Sequence, residues 1–520
     1  MKKTRRKKPR ASNLAKTPLR SEREPLVSPN HQMASDDGKP ALPKGWVWTT
    51  VGEIYQIVGG GTPSTNIDEY WNGNIPWITS ADIYGLKNIR PRRQITRKAI
   101  ENSATNLVPE RSIIVVTRVG LGKLALTITP LCFSQDSHAL IDNSSLIFSD
   151  YSLYYLSQAV QIFKYKHRGT TIAGVTKKQL SELAFVLPPL PEQHRIVAKI
   201  EELFTKLDAG VAALKKAKAQ LQRYRQSVLK DAFAGKLTPA WREAHKAELE
   251  PASALLERIK AERQKNAKAK YKEPPLVDTS NLPELPAGWV WARVGEISEM
   301  MQYGTSEKAD EEASGIPVLR MGNIQDGKLD FANLKYFPTK WPDLKEYILQ
   351  DGDVLFNRTN SAELVGKTAV YKSSHPKAVF ASYLIRVRVN REFFEPDILS
   401  WFINSFEGRK YISSVVSQQV GQANVNGTKL FMMPVPFLTL LEQRKIISEI
   451  ERRFSIAEEV EKVIDHSLKQ AERLRQSILQ RAFAGQLVPQ DPNDEPAEKL
   501  LERIKAEKAK RETDGKTKSR

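Results

Sequence analysis

The chain has 520 residues, room for three or four structural units at about 150 residues each. Hydrophobic residues make up 40% and charged residues 27%, and Cys132 is the only cysteine. No apolar run approaches the roughly 18 residues that a membrane span needs. This composition argues against a membrane-spanning chain, a disulfide framework and a cysteine-built metal centre, and it fits a reducing cytoplasm. The formal net charge of +20 points to a polyanionic partner, nucleic acid first.

Residues 1–40 carry eleven Lys/Arg against four Asp/Glu and read as a disordered basic tail. No apolar stretch follows the opening MKKTRRKKPR, so it does not read as a secretory signal. The tail does not account for the charge, because the rest of the chain stays strongly basic. Residues 41–187 form a first globular module with β-rich runs at Ile75–Thr79, Ser112–Thr117, Lys123–Thr129 and Ala139–Ile141, and a helical pattern at Ser149–Tyr165. A helical region, 188–272, follows. After Pro188-Pro189-Leu190-Pro191-Glu192 the positions Ile196, Ile200, Leu203, Leu207, Gly210, Leu214, Ala217, Leu221, Tyr224 and Val228 recur at spacings of 4 and 3. That pattern predicts a long helix with an a/d seam, stopped at Gly235.

Residues 273–283 read as a linker. A second module, 284–437, carries β-rich runs at Pro317–Arg320, Asp353–Phe356, Thr368–Tyr371 and Tyr383–Val389, and a helical pattern at Pro396–Val415. A second helical region, 438–510, precedes a short disordered tail, 511–520. Its long helix runs from near Glu442 to Gly485, with Ile446, Ile450, Arg453, Ala457, Val460, Ile464, Ser467, Ala471, Leu474 and Ile478 in the same frame. Each long helix spans about 43 residues, roughly 64 Å at 1.5 Å per residue. The predicted fold class is α+β, with the two long helices pairing as an antiparallel coiled coil.

The chain is an internal duplication. Gly45-Trp46-Val47-Trp48 and the following Val51–Ile54 recur as Gly288–Trp291 and Val294–Ile297, at an offset of 243. Arg225–Leu229 and Ala232–Gly235 recur as Arg475–Leu479 and Ala482–Gly485, at an offset of 250. Leu256–Glu262 recurs as Leu501–Glu507 at an offset of 245. The offset changes outside the long helices and not within them, so their lengths are matched. The globular parts otherwise share little sequence, which suggests two related modules with different targets.

The sequence offers no catalytic signature. It lacks a Gly-x-x-x-x-Gly-Lys-Ser/Thr phosphate loop, an Asn/Asp-Pro-Pro-Tyr/Phe methyltransferase motif, a Gly-x-Ser-x-Gly elbow and a His-Glu-x-x-His zinc helix. It carries instead polar clusters beside turns. In module one these are Gly59–Thr65, Thr79–Asp82, Thr117-Arg118 leading to Lys123, Ser134–Ser137 and Arg168–Thr171. In module two they are Tyr303–Ser306, Arg320–Asn323, Asn357–Ser361 and Gly421–Asn424. Arg, Asn and Gln can read guanine or adenine edges, and Ser and Thr reach bases or phosphates.

With these features the chain resembles the specificity (S) subunit of type I restriction-modification enzymes over residues 41–510. The resemblance rests on the duplication, the matched helices, and the module opening Leu42–Trp46 with its counterpart Leu285–Trp289. It rests also on Gly60-Gly61-Thr62-Pro63-Ser64, Ile75-Pro76-Trp77-Ile78, Pro188–Gln193, Ala232–Leu237, Leu319–Ile324 and Phe356–Ser361. Two departures are the long N-terminal tail and the second helix start, where Leu440-Leu441-Glu442-Gln443 lacks the proline.

The resemblance implies that this cytoplasmic chain performs no chemistry. Each module is a target recognition domain for one half of a bipartite, asymmetric double-stranded DNA site, and the helices set the gap between halves. The expected partners are two methyltransferase (M) subunits, which methylate adenine N6, and two motor-nuclease (R) subunits. S-adenosylmethionine, ATP and Mg belong to those partners, with no cofactor in this chain. By position, Thr62, Ser64, Thr79, Ser80, Arg118, Lys123, Gln135 and Arg168 are expected to face DNA in module one. Thr305, Ser306, Arg320, Asn323, Asn357, Arg358, Asn360, Gln422 and Asn424 are expected to do so in module two. The rival readings are a solitary DNA-binding or scaffold protein without a methyltransferase partner, and an enzyme with an unrecognised site.

Overall fold

The computed structural model describes residues 40–142, 144–163, 174–266, 274–310, 315–338, 344–419 and 422–517. They fall into two compact units, one ending at Val211 and resuming at Lys469, the other spanning Ala212–Leu468. Among the described residues no helix is long and apolar enough to cross a membrane.

The first unit is built on a four-stranded antiparallel sheet, ordered Gln56–Gly59, Ser137–Ile141, Ile113–Val116, Leu124–Leu126. Ile113–Val116 is buried at every position. This central strand is covered on both faces and therefore reads as a continuous apolar run rather than an alternation. A second sheet, Arg93–Ile95, Trp71–Ile78 and Cys132–Phe133, carries the turns of the candidate site. A ribbon of Val47–Thr50 and Ala184–Leu187 draws the two ends of the module together, and helix Ser149–Ala159 packs beneath.

The second unit repeats this plan. Its main sheet runs Ser298–Tyr303, Leu384–Val389, Val354–Asn357, Thr368–Val370. The side sheet is Lys335–Phe337, Ile316–Leu319 and Val379–Phe380, and the ribbon is Val290–Arg293 with Pro434–Phe437. The late helical stretch is two helices, Pro396–Asn404 and Phe406–Val415, broken at Ser405, whose hydroxyl accepts the Gly408 N–H as an N-cap.

The long helices run Leu190–Phe233 and Leu440–Phe483, 44 residues each. Their starts explain the repeated Gly-Trp and Glu-Gln motifs. The Trp46 indole donates to Glu192 Oε2 at 2.8 Å, and the Trp289 indole donates to Glu442 Oε2 at 2.8 Å. Gln193 bridges the Phe148 N–H and the Pro188 carbonyl, as Gln443 bridges the Glu395 N–H and the Leu438 carbonyl. All four carboxylate and amide side chains are buried, so each motif fastens its module to the base of a helix. Leu441 stands where the first helix has Pro191, and Thr439, at the place of Pro189, caps this start, its hydroxyl accepting the Glu442 N–H at 3.4 Å. The later repeats close the same corner. Ala497 N–H bonds the Gly45 carbonyl in the first unit, and Ala252 N–H bonds the Gly288 carbonyl in the second.

Each unit holds its own stretch of helix pair. In the first, Ile196, Ile200 and Phe204 share a core with Ile478, Ala482 and Ile504. In the second, Lys218 binds Asp465 at 2.6 Å and Arg225 binds Glu461 at 2.9 Å, so residue numbers rise on one helix as they fall on the other. The pairing is antiparallel. The seam departs from the sequence expectation at two positions of each helix. Gly210, Tyr224, Val460 and Leu474 face solvent, while Val211, Arg225, Glu461 and Arg475 turn toward the partner helix. Ion pairs thus enter the interface at Arg225, Glu461 and Arg475, where an all-apolar seam would place aliphatic side chains. Arg225 and Glu461 extend their stems across the interface and keep their charges matched.

Candidate nucleic-acid interface

Module one gathers its polar turns at one edge of the side sheet. At the end of strand Trp71–Ile78, Thr79 caps a short turn and Asp82 closes it. The Asp82 carboxylate accepts the Thr79 N–H and hydroxyl, each at 2.8 Å, and the Arg92 guanidinium at 2.5 Å. Burial alone would raise the Asp82 pKa, but the Thr79 N–H and Arg92 outweigh it and hold the carboxyl below its usual range. Ser80 stands half-exposed on this turn, and Lys123 Nζ reaches its carbonyl at 3.1 Å. Ser64 is joined from the neighbouring loop, where the Trp71 indole donates to its carbonyl at 3.1 Å. Arg93 lies over the Trp71 ring, 5.3 Å from its centroid.

A second group lies at the end of the main sheet. Thr62 bonds Gln135, both exposed, and Arg118 and Gln135 line a small cleft with His138 and Lys177. His138 Nδ1 is 3.0 Å from Thr117 Oγ1. Burial, then the charges of Lys177 and Arg118, lower the His138 pKa and keep the ring neutral near pH 7. Arg168 lies outside the described residues.

In module two the equivalent turn is closed by Asn323. Its side chain accepts the Arg320 N–H at 2.9 Å and donates to the Asp330 and Ala332 carbonyls. Arg320 bends back onto the Asn333 carbonyl. Arg358 stacks over Tyr303 at 4.9 Å. Asn424 Nδ2 donates to Thr359 Oγ1 at 2.9 Å in a small sheet of Thr359–Asn360, Gln422–Asn424 and Ser417–Gln419. Ser306 and Gln422 are exposed, and Asn360 and Asn424 half-exposed.

Three of the expected contacts are corrected. Asn323, Asn357 and Thr305 are buried at 4%, 0% and 5% exposure. Asn357 donates to the Leu364 carbonyl, and Thr305 Oγ1 accepts the Glu307 N–H. Each satisfies backbone groups of a turn, which burial obliges it to do. Sequence reasoning passed over Arg92, Arg93, His138 and Lys177 in module one. Arg90-Pro91-Arg92-Arg93, a basic run at a turn, was the available signal. Among the described residues, no group of three or more His, Cys, Asp or Glu side chains could hold a metal ion.

The chain is a duplicated α+β module on a pair of long helices of matched length. A family model described as the type I restriction modification DNA specificity domain matches residues 43–222. The chain is 26% identical over 486 residues to the EcoKI specificity subunit of Escherichia coli K12, covering 90% of this chain and 96% of that one. It is 24% identical over 489 residues to the StySPI specificity subunit of Salmonella potsdam, with the same coverage. A solved chain described under complex assembly and conformational transition of the type I restriction-modification system shares the fold. It has a TM-score of 0.63 and 18% identity, covering 86% of this chain and all of that one. Over nine-tenths of its length the chain is similar to specificity subunits of type I restriction-modification enzymes.

Proposed function

We propose that each module of this specificity subunit reads one half of a bipartite, asymmetric DNA target, and that the helix pair fixes the gap between the halves. Two methyltransferase subunits dock on this frame and transfer a methyl group from S-adenosylmethionine to adenine N6, and two motor-nuclease subunits add ATP-driven translocation and cleavage. Methylation requires the adenine to leave the stack. This chain supplies the address and not the chemistry, and S-adenosylmethionine, ATP and Mg belong to the partners.

The observation that carries this reading is the repeated Trp–Glu lock. It fastens two modules of one topology to helices of one length, while their exposed turns carry different side chains. A shared frame with divergent faces suits two half-sites of different sequence. A genome-wide map of N6-methyladenine, with and without the gene, tests it. Deletion is expected to remove one bipartite motif, and an unchanged map overturns the reading. Inserting one heptad into both long helices should lengthen the gap and leave both half-sites unaltered.

A further inference from the structure

Module one holds a cleft of about 280 Å³, and the matching place in module two is built differently. The two main sheets align residue by residue. His138 pairs with Gly59 in one sheet as Ile385 pairs with Tyr303 in the other. Where module one has Gly59, module two therefore has a tyrosine. The Tyr303 ring lies beneath Arg358, and its hydroxyl accepts the Gly427 N–H at 2.6 Å. Gly427 follows the helix cap Asn426 as Lys177 follows the cap Thr176. The tyrosine thus spans the place that in module one is open between Gly59 and Lys177.

The lining of the open cleft has a definite chemistry. Arg118 and Lys177 stand exposed at its mouth, with Gln135 and the neutral His138 beside them. Among the described residues no carboxylate lines it, and its one aromatic ring is the His138 imidazole. An anion there meets two cations and, among the described residues, no acid. Three glycines, Gly59, Gly60 and Gly174, bring backbone to the wall. A β-carbon on Gly174 would fall 2.4 Å from Arg118 Cγ, so a side chain there would displace the arginine from the cleft.

We propose that this cleft seats a phosphate of the DNA backbone, held by Arg118 and Lys177 and hydrogen-bonded by Gln135 and His138, and that module two does without this contact. The inference rests on the reading of both modules as DNA-binding and assigns module one an anchoring contact that carries no sequence information.

The test measures the affinity of the complete chain, together with its methyltransferase subunits, for a mixed-sequence duplex across a salt series. R118A and K177A should each weaken binding and reduce the slope of log K against log salt by about 1, with the methylated motif unchanged. G59Y should do the same by importing the tyrosine, since a β-carbon on Gly59 meets nothing within 4 Å. If G59Y does not fold, the two surface variants still decide. Unchanged affinity and slope overturn the proposal, and so does a motif that loses one base, which would make the cleft a base reader. Failure of the broader reading shows separately, as a wild-type complex that methylates no motif.

Discussion

The two modules share a backbone plan and differ in what they do with charge. Module one fills the centre of its main sheet with apolar side chains, where Ala139 and Ile114 face each other across paired strands. Module two puts Arg386 at the place of Ala139 and satisfies it with the Ile348 and Glu346 carbonyls, each at 2.9 Å. Asp353, fully buried, lies 3.5 Å from Arg386 and binds Arg388 at 2.8 Å. At the surface the relation is different. Module one closes its turn with an Asp82–Arg92 ion pair and module two with the neutral Asn323. The same turn is capped in both cases, so the cap is a requirement of the backbone and the charge around it is free to vary. Under the proposed function, that freedom would let one fold address two sequences.

The largest expected effect separates the two cores. Asp353→Ala leaves Arg386 and Arg388 without their buried anion, which should cost module two about 3–5 kcal/mol. Urea unfolding followed by tryptophan fluorescence should show one transition moving and a second staying in place. A single shift of the whole curve would mean that the modules do not unfold independently.

The next effect separates the faces. Arg358→Ala removes a guanidinium presented over Tyr303 and should cost about 1–3 kcal/mol of target binding while relaxing one position in one half of the methylated motif. The other half should be untouched. Relaxation in both halves would break the assignment of one half-site to each module.

The helix starts offer a finer comparison. Glu442 accepts Trp289, Thr238 and the Arg242 guanidinium at 2.7 Å, whereas Glu192 accepts Trp46 and leaves Oε1 buried without a partner. Burial raises the Glu192 pKa, against the Trp46 indole and Arg195, which lower it. A carboxyl whose folded pKa is raised stabilises the fold most below the ordinary glutamate range, and that contribution is lost as pH rises through the raised value. Glu192→Gln should therefore hold or improve stability at pH 7 and lose its advantage in acid. Glu442→Gln, which deprives Arg242 of its anion, should cost about 1.5–3 kcal/mol. Thermal melts of both variants between pH 4 and pH 8, roughly the span in which a buried glutamate titrates, distinguish them. Equal behaviour would show that the two locks are equivalent after all.

Much of this plan was legible in the sequence, and the limits have physical causes. The duplication and the long helices are visible because heptad spacing and repeated locks constrain many residues at once. The phase of the seam was not, since Arg225, Glu461 and Arg475 look like surface residues until an opposite charge stands across from them. The polar turns were found, but the sequence does not say which way a turn residue points. Asn357 and Asn323 turned inward to satisfy backbone, and their neighbours Arg358 and Arg320 carry the surface. The cleft of module one was invisible because it is made by what Gly59 and Gly174 lack.

The smallest effect bears on whether the helical frame is shared in energy as well as in shape. Asp208 pairs with Arg475 in the first unit, and Asp465 pairs with Lys218 in the second. Both aspartates are about half-exposed, at 63% and 45%. Water screens such pairs, and ordering two long side chains offsets much of the attraction. Asp208→Asn and Asp465→Asn should each leave the unfolding transition where it is at physiological salt. Their value lies in register, because sliding the pair by one turn would bring Ala471 or Leu479 to the place of Arg475 and leave Asp208 without its partner. The double variant should fold as well as the parent and recover its helicity more slowly after dilution from urea. A large and unequal loss from either single change would mean that the helix pair is itself specialised at each end, and that the division into common frame and variable face is wrong.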